Sequence, residues 1–163
     1  REEAINYIRD WIIDEAEEFI VITDPYLRPE DIEILNFIKE KGEDIEILFL
    51  GCNDSPSSDL QKKYEESWKK ISDESIPFAK FVFCWIPEDR AKKPIHDRWI
   101  LSKNSGLRIG TSYSSLGNGK DSEISLIKTN EAYNILENTI KGYLDMKTRF
   151  LNNQKIKYSS FTF

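Results

Sequence analysis

The sequence predicts an α/β domain whose mixed, largely parallel central sheet is flanked by helices on both faces. Two observations carry that expectation. Short β-branched or aromatic runs alternate with segments whose apolar residues recur at helical spacing, and the connections between them are short, which favours parallel crossovers. A chain of 163 residues, 39% apolar and 32% charged, suits one domain over 1–163 that buries its own core without disulfides or metals.

The elements follow in order. Residues 3–18 place Ala4, Ile5, Ile8, Trp11, Ile12 and Ala16 on one helical face. Residues 19–23 form a β-branched run of the kind buried in a central sheet, and Asp24-Pro25 stops it. Pro29, then Glu30 and Asp31 in a first turn, then Lys41-Gly42, bracket a second helix around Ile32, Leu35 and Ile38. Residues 44–50 read as the next strand. Ser58-Asp59-Leu60-Gln61 has capping-box spacing, and Leu60, Tyr64, Trp68 and Ile71 continue a third helix. An aromatic-rich strand at 78–86 leads into a polar loop at 87–94 bounded by two prolines, and 95–102 and 107–110 read as a hairpin. A Ser/Gly loop at 111–119, a strand at 122–128 and a helix at 130–150 follow, the helix with Ala132, Ile135, Leu136, Ile140, Tyr143 and Leu144 inward. The tail at 151–163 shows no clear period, and Phe161 and Phe163 are open to packing back or to contacting a partner.

Composition narrows the function classes. Cys52 and Cys84 lie far apart without CxxC spacing, which fits reduced thiols in a cytoplasmic setting and gives no zinc framework; no metal or other cofactor is expected. No run of about 18 apolar residues suggests a membrane span. The absent start methionine suggests a piece of a longer protein with further domains. A net charge of -6 argues against a surface that coats nucleic acid. Residues 90–108 are the exception, with Arg90, Lys92, Lys93, Arg98, Lys103 and Arg108 against Asp97 alone. An anion site fits there; an ordinary solvated hairpin does too.

The chemistry-bearing segment contains the only histidine. Strand alternation puts His96, Arg98 and Ile100 on one face and Asp97, Trp99 and Leu101 on the other. Arginine offers a planar fork of donors to a phosphate, and neutral imidazole offers a basic or nucleophilic nitrogen. The loop from Gly110, with Thr111, Ser112 and Ser114, would add hydroxyls and backbone N–H groups. Arg28 is a further phosphate-binding candidate, because it follows a strand end and opens a helix. Tyr26 reads as a packing residue.

This spacing resembles the phospholipase D-like superfamily motif H-x-K-x4-D-x6-G-S-x-N. His96 holds the histidine position, Arg98 the lysine, Lys103 the aspartate, Gly110-Thr111 the Gly-Ser, and Tyr113 the asparagine. The strings Asp24-Pro25-Tyr26-Leu27-Arg28 and Ile95-His96-Asp97-Arg98 are similar to those of the phospholipase D-like domain at the C-terminus of MIT-domain proteins, over roughly residues 17–127. That resemblance implies a homodimeric, non-catalytic domain binding acidic phospholipid headgroups. Other single-motif relatives are dimeric, metal-independent nucleases, in which His96 would be the nucleophile and a second His96 would come from the partner subunit. With Lys103 in the carboxylate position, Asp97, Asp121 or Glu123 is left to orient the imidazole, and Glu123 is the best placed. Lys103, Arg28 and the loop hydroxyls would complete a phosphate site for nucleic acid or acidic lipid. A plain protein-interaction domain is the third reading.

Overall fold

A computed structural model describes residues 1–42, 44–117 and 123–163. The β-branched runs become strands and the amphipathic segments helices: α1 (Glu2–Glu15), β1 (Phe19–Asp24), a 3-10 turn (Pro29–Ile34) running into α2 (Leu35–Lys41), β2 (Glu46–Gly51), α3 (Ser57–Ile71) and β3 (Lys80–Trp85). Gly42 closes α2 with a left-handed backbone (φ 71°), the conformation its position after Lys41 predicts. The capping box expected at Ser58 does not form. The helix begins two residues earlier, with Pro56 at the cap position and no side-chain cap.

After β3 come β4 (Trp99–Leu101), β5 (Gly106–Ile109) and β6 (Ile124–Ile127), then α4 (Thr129–Ile135), a π-helical segment (Leu136–Ile140) and α5 (Lys141–Leu144). The last helical run is therefore shorter than 130–150. It stops near Met146, whose φ is 56°, and Phe150 is already extended. The tail forms a tight hairpin of β7 (Phe150–Leu151) and β8 (Gln154–Lys155) and then β9 (Lys157–Thr162). Asn152 and Asn153 turn the hairpin with φ of 48° and 63°, a conformation asparagine tolerates better than most residues.

Among the described residues the main sheet has seven strands in the order β6-β5-β4-β1-β2-β3-β9. Only β1–β2 and β2–β3 pair in parallel; β1–β4, β4–β5, β5–β6 and β3–β9 are antiparallel. The sheet is mixed as expected but not largely parallel. The tight turn after β4 returns the chain antiparallel beside it as β5, where a parallel neighbour would need a long crossover, and the tail comes back to lie antiparallel along β3.

Helices cover both faces. Ile8, Trp11 and Ile12 of α1, Leu35 and Ile38 of α2, and Leu60, Tyr64 and Trp68 of α3 join one core cluster with Ile20, Ile22, Phe49, Phe81 and Ile100. Ala132, Ile140, Tyr143 and Leu144 join the other with Val21, Val82, Cys84, Trp99 and Leu101. Phe161 from the tail stacks on Phe81 with centroids 4.8 Å apart, so the aromatic ending packs back into the sheet. No helix among the described residues is long and apolar enough to cross a membrane.

Candidate functional site

The site lies where β1 ends. The register Thr23↔Trp99 runs on to place Asp24 beside Arg98 and Pro25 beside Asp97, and proline has no N–H to offer a ladder. The expected strand over 95–102 is therefore regular only at Trp99–Leu101. The Thr23 hydroxyl takes over the pairing, accepting from the Trp99 N–H at 3.0 Å and donating to the Asp97 carbonyl at 3.3 Å. On the other side the Ile109 N–H still reaches the Arg98 carbonyl at 3.0 Å.

Arg98 is held from beneath. Its Nε donates to Ser112 Oγ at 3.3 Å and lies 3.4 Å from Asp24 Oδ1, while the Ser112 hydroxyl donates to the same oxygen at 3.1 Å. Asp24 Oδ1 also accepts the Tyr26 N–H at 2.8 Å, and Oδ2 is buried without a partner among the described residues. The two terminal guanidinium nitrogens have no acceptor among the described residues. The guanidinium carbon sits 5.5 Å from the centre of the Tyr26 ring, and Lys93 Nζ lies 5.9 Å from the same ring. Tyr26 is 53% exposed, so it is a surface platform between two cations and not the packing residue the sequence suggests.

Behind Arg98, Asp24, Asp31, Thr111 and Tyr113 line a cavity of about 20 Å³, too small for a ligand. Asp31 accepts the Arg28 N–H at 2.7 Å and the Ser114 N–H at 2.8 Å. Burial, with Asp24 nearby adding to it, pushes its carboxyl up to about 6 against the hydrogen bonds from Arg28 and Ser114, which pull it down. Burial likewise raises the Tyr113 phenol.

This geometry sorts the expected site residues. Arg98, Thr111 and Ser112 come together, but Ser112 is buried and braces Arg98 instead of presenting a hydroxyl to a ligand. The Ser114 amide is likewise spent on Asp31. The anion place foreseen at Arg28 is filled by the protein's own Asp31 carboxylate, at a 3-10 turn of six residues. The Arg28 side chain itself is exposed. Lys103 lies at the other end of the sheet: the Ser102 hydroxyl binds the Glu17 backbone beside the start of β1, and Lys103 pairs with Glu18. It is not part of the Arg98 group.

His96 is exposed, two residues before Arg98 on the segment that has left the ladder, and Asp97 is exposed beside it. Glu123 is exposed at the start of β6, and no contact joins its carboxylate to His96 among the described residues. Its backbone explains Gly110 instead: the Gly110 N–H donates to the Glu123 carbonyl at 2.9 Å, and an added Cβ would lie 3.3 Å from Glu123 N and O. Asp121, the other carboxylate considered, lies outside the described residues. Sequence reasoning placed Lys93 in the basic run at 90–108 but missed Asp24 and Asp31 as site residues. Asp24 ends β1 before Pro25 and reads as a strand stop, and Asp31 follows Pro29 and reads as a helix-start residue, so neither pattern announces a buried acceptor. No protein-family model matches the chain, and no curated protein matches it.

Proposed function

We propose that this is a phospholipase D-like domain that recognises a phosphate or phosphodiester group, carried by an acidic lipid headgroup or a nucleic acid, and acts as a homodimer. One observation carries the reading: Arg98 is fixed through Nε by Asp24 and Ser112 and keeps two terminal nitrogens for an oxyanion. Lys93 supplies a second positive charge across the Tyr26 ring. The position at the carboxyl end of β1, where the chain order of the sheet reverses between β1–β2 and β1–β4, is where open α/β sheets bind ligands. Spacing of His96, Arg98 and Gly110 along a hairpin beside β1 supports the superfamily reading.

Cleavage by His96 with a second His96 from the partner is the alternative. It has weaker support, because no carboxylate among the described residues engages the imidazole and Asp24 is committed to Arg98. Separation is direct: vesicles of neutral lipid, vesicles containing phosphatidylserine, and a single-stranded oligonucleotide are each offered to the protein, with inorganic phosphate as competitor. Retention by anionic vesicles or the oligonucleotide, weakened tenfold or more by Arg98→Ala and partly by Lys93→Ala, is the expected result. Equal retention by neutral vesicles, or no binding to any of the three, rejects the reading. Cleavage of the oligonucleotide in EDTA that His96→Ala abolishes would select the enzymatic alternative.

A further inference from the structure

β2 and β3 run parallel with Gly51 opposite Phe83, so Cys52, just past the end of β2, lies beside Cys84, which stays paired with Tyr158 of β9. Both cysteines belong to the core cluster on the α4 face, and their sulfurs are 4.0 Å apart. Neighbouring strands lie about 4.8 Å apart, inside the Cα separation that a disulfide spans. The sulfurs need approach by only about 2 Å to bond, which side-chain rotation supplies.

Cys84 is fully buried and Cys52 keeps 8% exposure, so Cys52 is the more accessible of the two. Cys52 and Cys84 form the floor of a cavity of about 280 Å³ whose walls include Asn53, Arg90, Lys92 and Lys93. Arg90 is paired with Asp54 at 2.8 Å and Lys92 leans on Gln154 at 3.4 Å, so Lys93 is the cation whose charge acts on both sulfurs. The two thiols are not equivalent. The hydrogen bond shared with Cys84 and the one from the Ile95 N–H, with Lys93 near, hold the Cys52 thiol below its usual range despite burial. The contact with Cys52 and burial push the Cys84 thiol, which also reaches the Gly51 carbonyl at 3.6 Å, well above its usual range.

We propose that Cys52 and Cys84 are an oxidant-sensitive thiol pair that hydroperoxides convert to an intramolecular disulfide, with Cys52 attacking and Cys84 resolving. In the first step the Cys52 thiolate attacks a peroxide oxygen, the O–O bond breaks, and the alkoxide or hydroxide leaves with a proton; sulfur is oxidised to the sulfenic acid and the peroxide is reduced. In the second, the Cys84 sulfur attacks that of Cys52, the S–O bond breaks, and the hydroxide departs as water with the Cys84 proton. Two thiols and one hydroperoxide give one disulfide, one alcohol or water, and one water. The cationic wall favours this chemistry over capture of a soft metal cation, because the same field that stabilises a thiolate repels a positive ion. This inference stands independently of the phosphate reading.

The test exposes the folded, reduced chain to hydrogen peroxide, blocks remaining thiols with an alkylating reagent, and maps the peptides by mass spectrometry. The expected product is a link between Cys52 and Cys84 within one chain, with both free thiols lost and restored by dithiothreitol. Cys84→Ser should stop at a Cys52 sulfenic acid trapped by a cyclic dione, and Cys52→Ser should leave Cys84 unreacted. The wild-type map needs neither variant to fold. Unmodified thiols under an exposure that fully oxidises glutathione, a link between two chains, or Cys84 reacting equally fast without Cys52 would overturn the proposal.

Discussion

Asp31 shows how one carboxylate links local turn chemistry to stability. Both oxygens are used, one by the Arg28 N–H and one by the Ser114 N–H, so the residue ties the 3-10 turn to the loop after β5. Its carboxyl is raised from 3.8 to about 6 in the folded chain, which means the native state holds the proton more tightly than the unfolded state. The stabilisation from this group is complete below about pH 4 and is lost as pH rises through 6, a change of about 3 kcal/mol. Urea unfolding at pH 4.5 and 7.5 should show wild type losing ground to Asp31→Asn as pH rises. At pH 4.5 the protonated carboxyl, like an amide, offers one carbonyl acceptor, so the variant should lie within about 1 kcal/mol of wild type there. Asp24 makes the complementary case. Asp24→Ala removes the acceptor of Tyr26, Ser112 and Arg98 together and should cost about 2–3 kcal/mol by chemical denaturation, with Arg98→Ala costing less in the Asp24→Ala background than in wild type. That His96 and Arg98 belong to one segment was legible from a two-residue spacing. That Arg98 would be braced by a carboxylate 74 positions earlier was not, because nothing in a local pattern records which strand ends meet.

At the scale of elements, the strands β1, β2 and β3 and the helices α1 and α3 follow from apolar period and β-branching, since each buries one side against a neighbour. The tail was harder. Lys157–Thr162 carries two serines, a lysine and a threonine, too polar to announce a strand, yet it completes the sheet by pairing with β3 along six positions. Phe161 supplies the apolar reason, stacked on Phe81 and touching Tyr64, Phe83 and Phe163. Phe161→Ala should cost about 3–5 kcal/mol in denaturant unfolding. Phe78→Ala, by contrast, removes a ring that is 75% exposed and should stay within about 0.5 kcal/mol of wild type. The shortened β4 has a backbone cause as well: a proline in the facing strand withdraws a donor, and the segment carrying His96 is freed from the ladder.

For the whole molecule, charge and association are the testable quantities. The proposed dimer should sediment at twice the 19.1 kDa chain mass, and binding to anionic vesicles should fall steeply as salt rises, because the chain carries -6 overall and relies on a local cluster of cations. Persistence of a 19.1 kDa species at high protein concentration would reject the dimer, and salt-independent retention would reject electrostatic capture. By itself the sequence determined the α/β class, the helices on two faces, the glycine stop after Lys41 and the segment where Arg98 and His96 sit, since period, capping and turn chemistry are written within a few residues. Only the tertiary structure decided the antiparallel majority of the sheet, the docking of the tail on β3, the removal of Lys103 from the Arg98 group and the meeting of Cys52 with Cys84. Those depend on which strands become neighbours. That choice is made by packing between residues far apart in sequence, and it leaves no local signature.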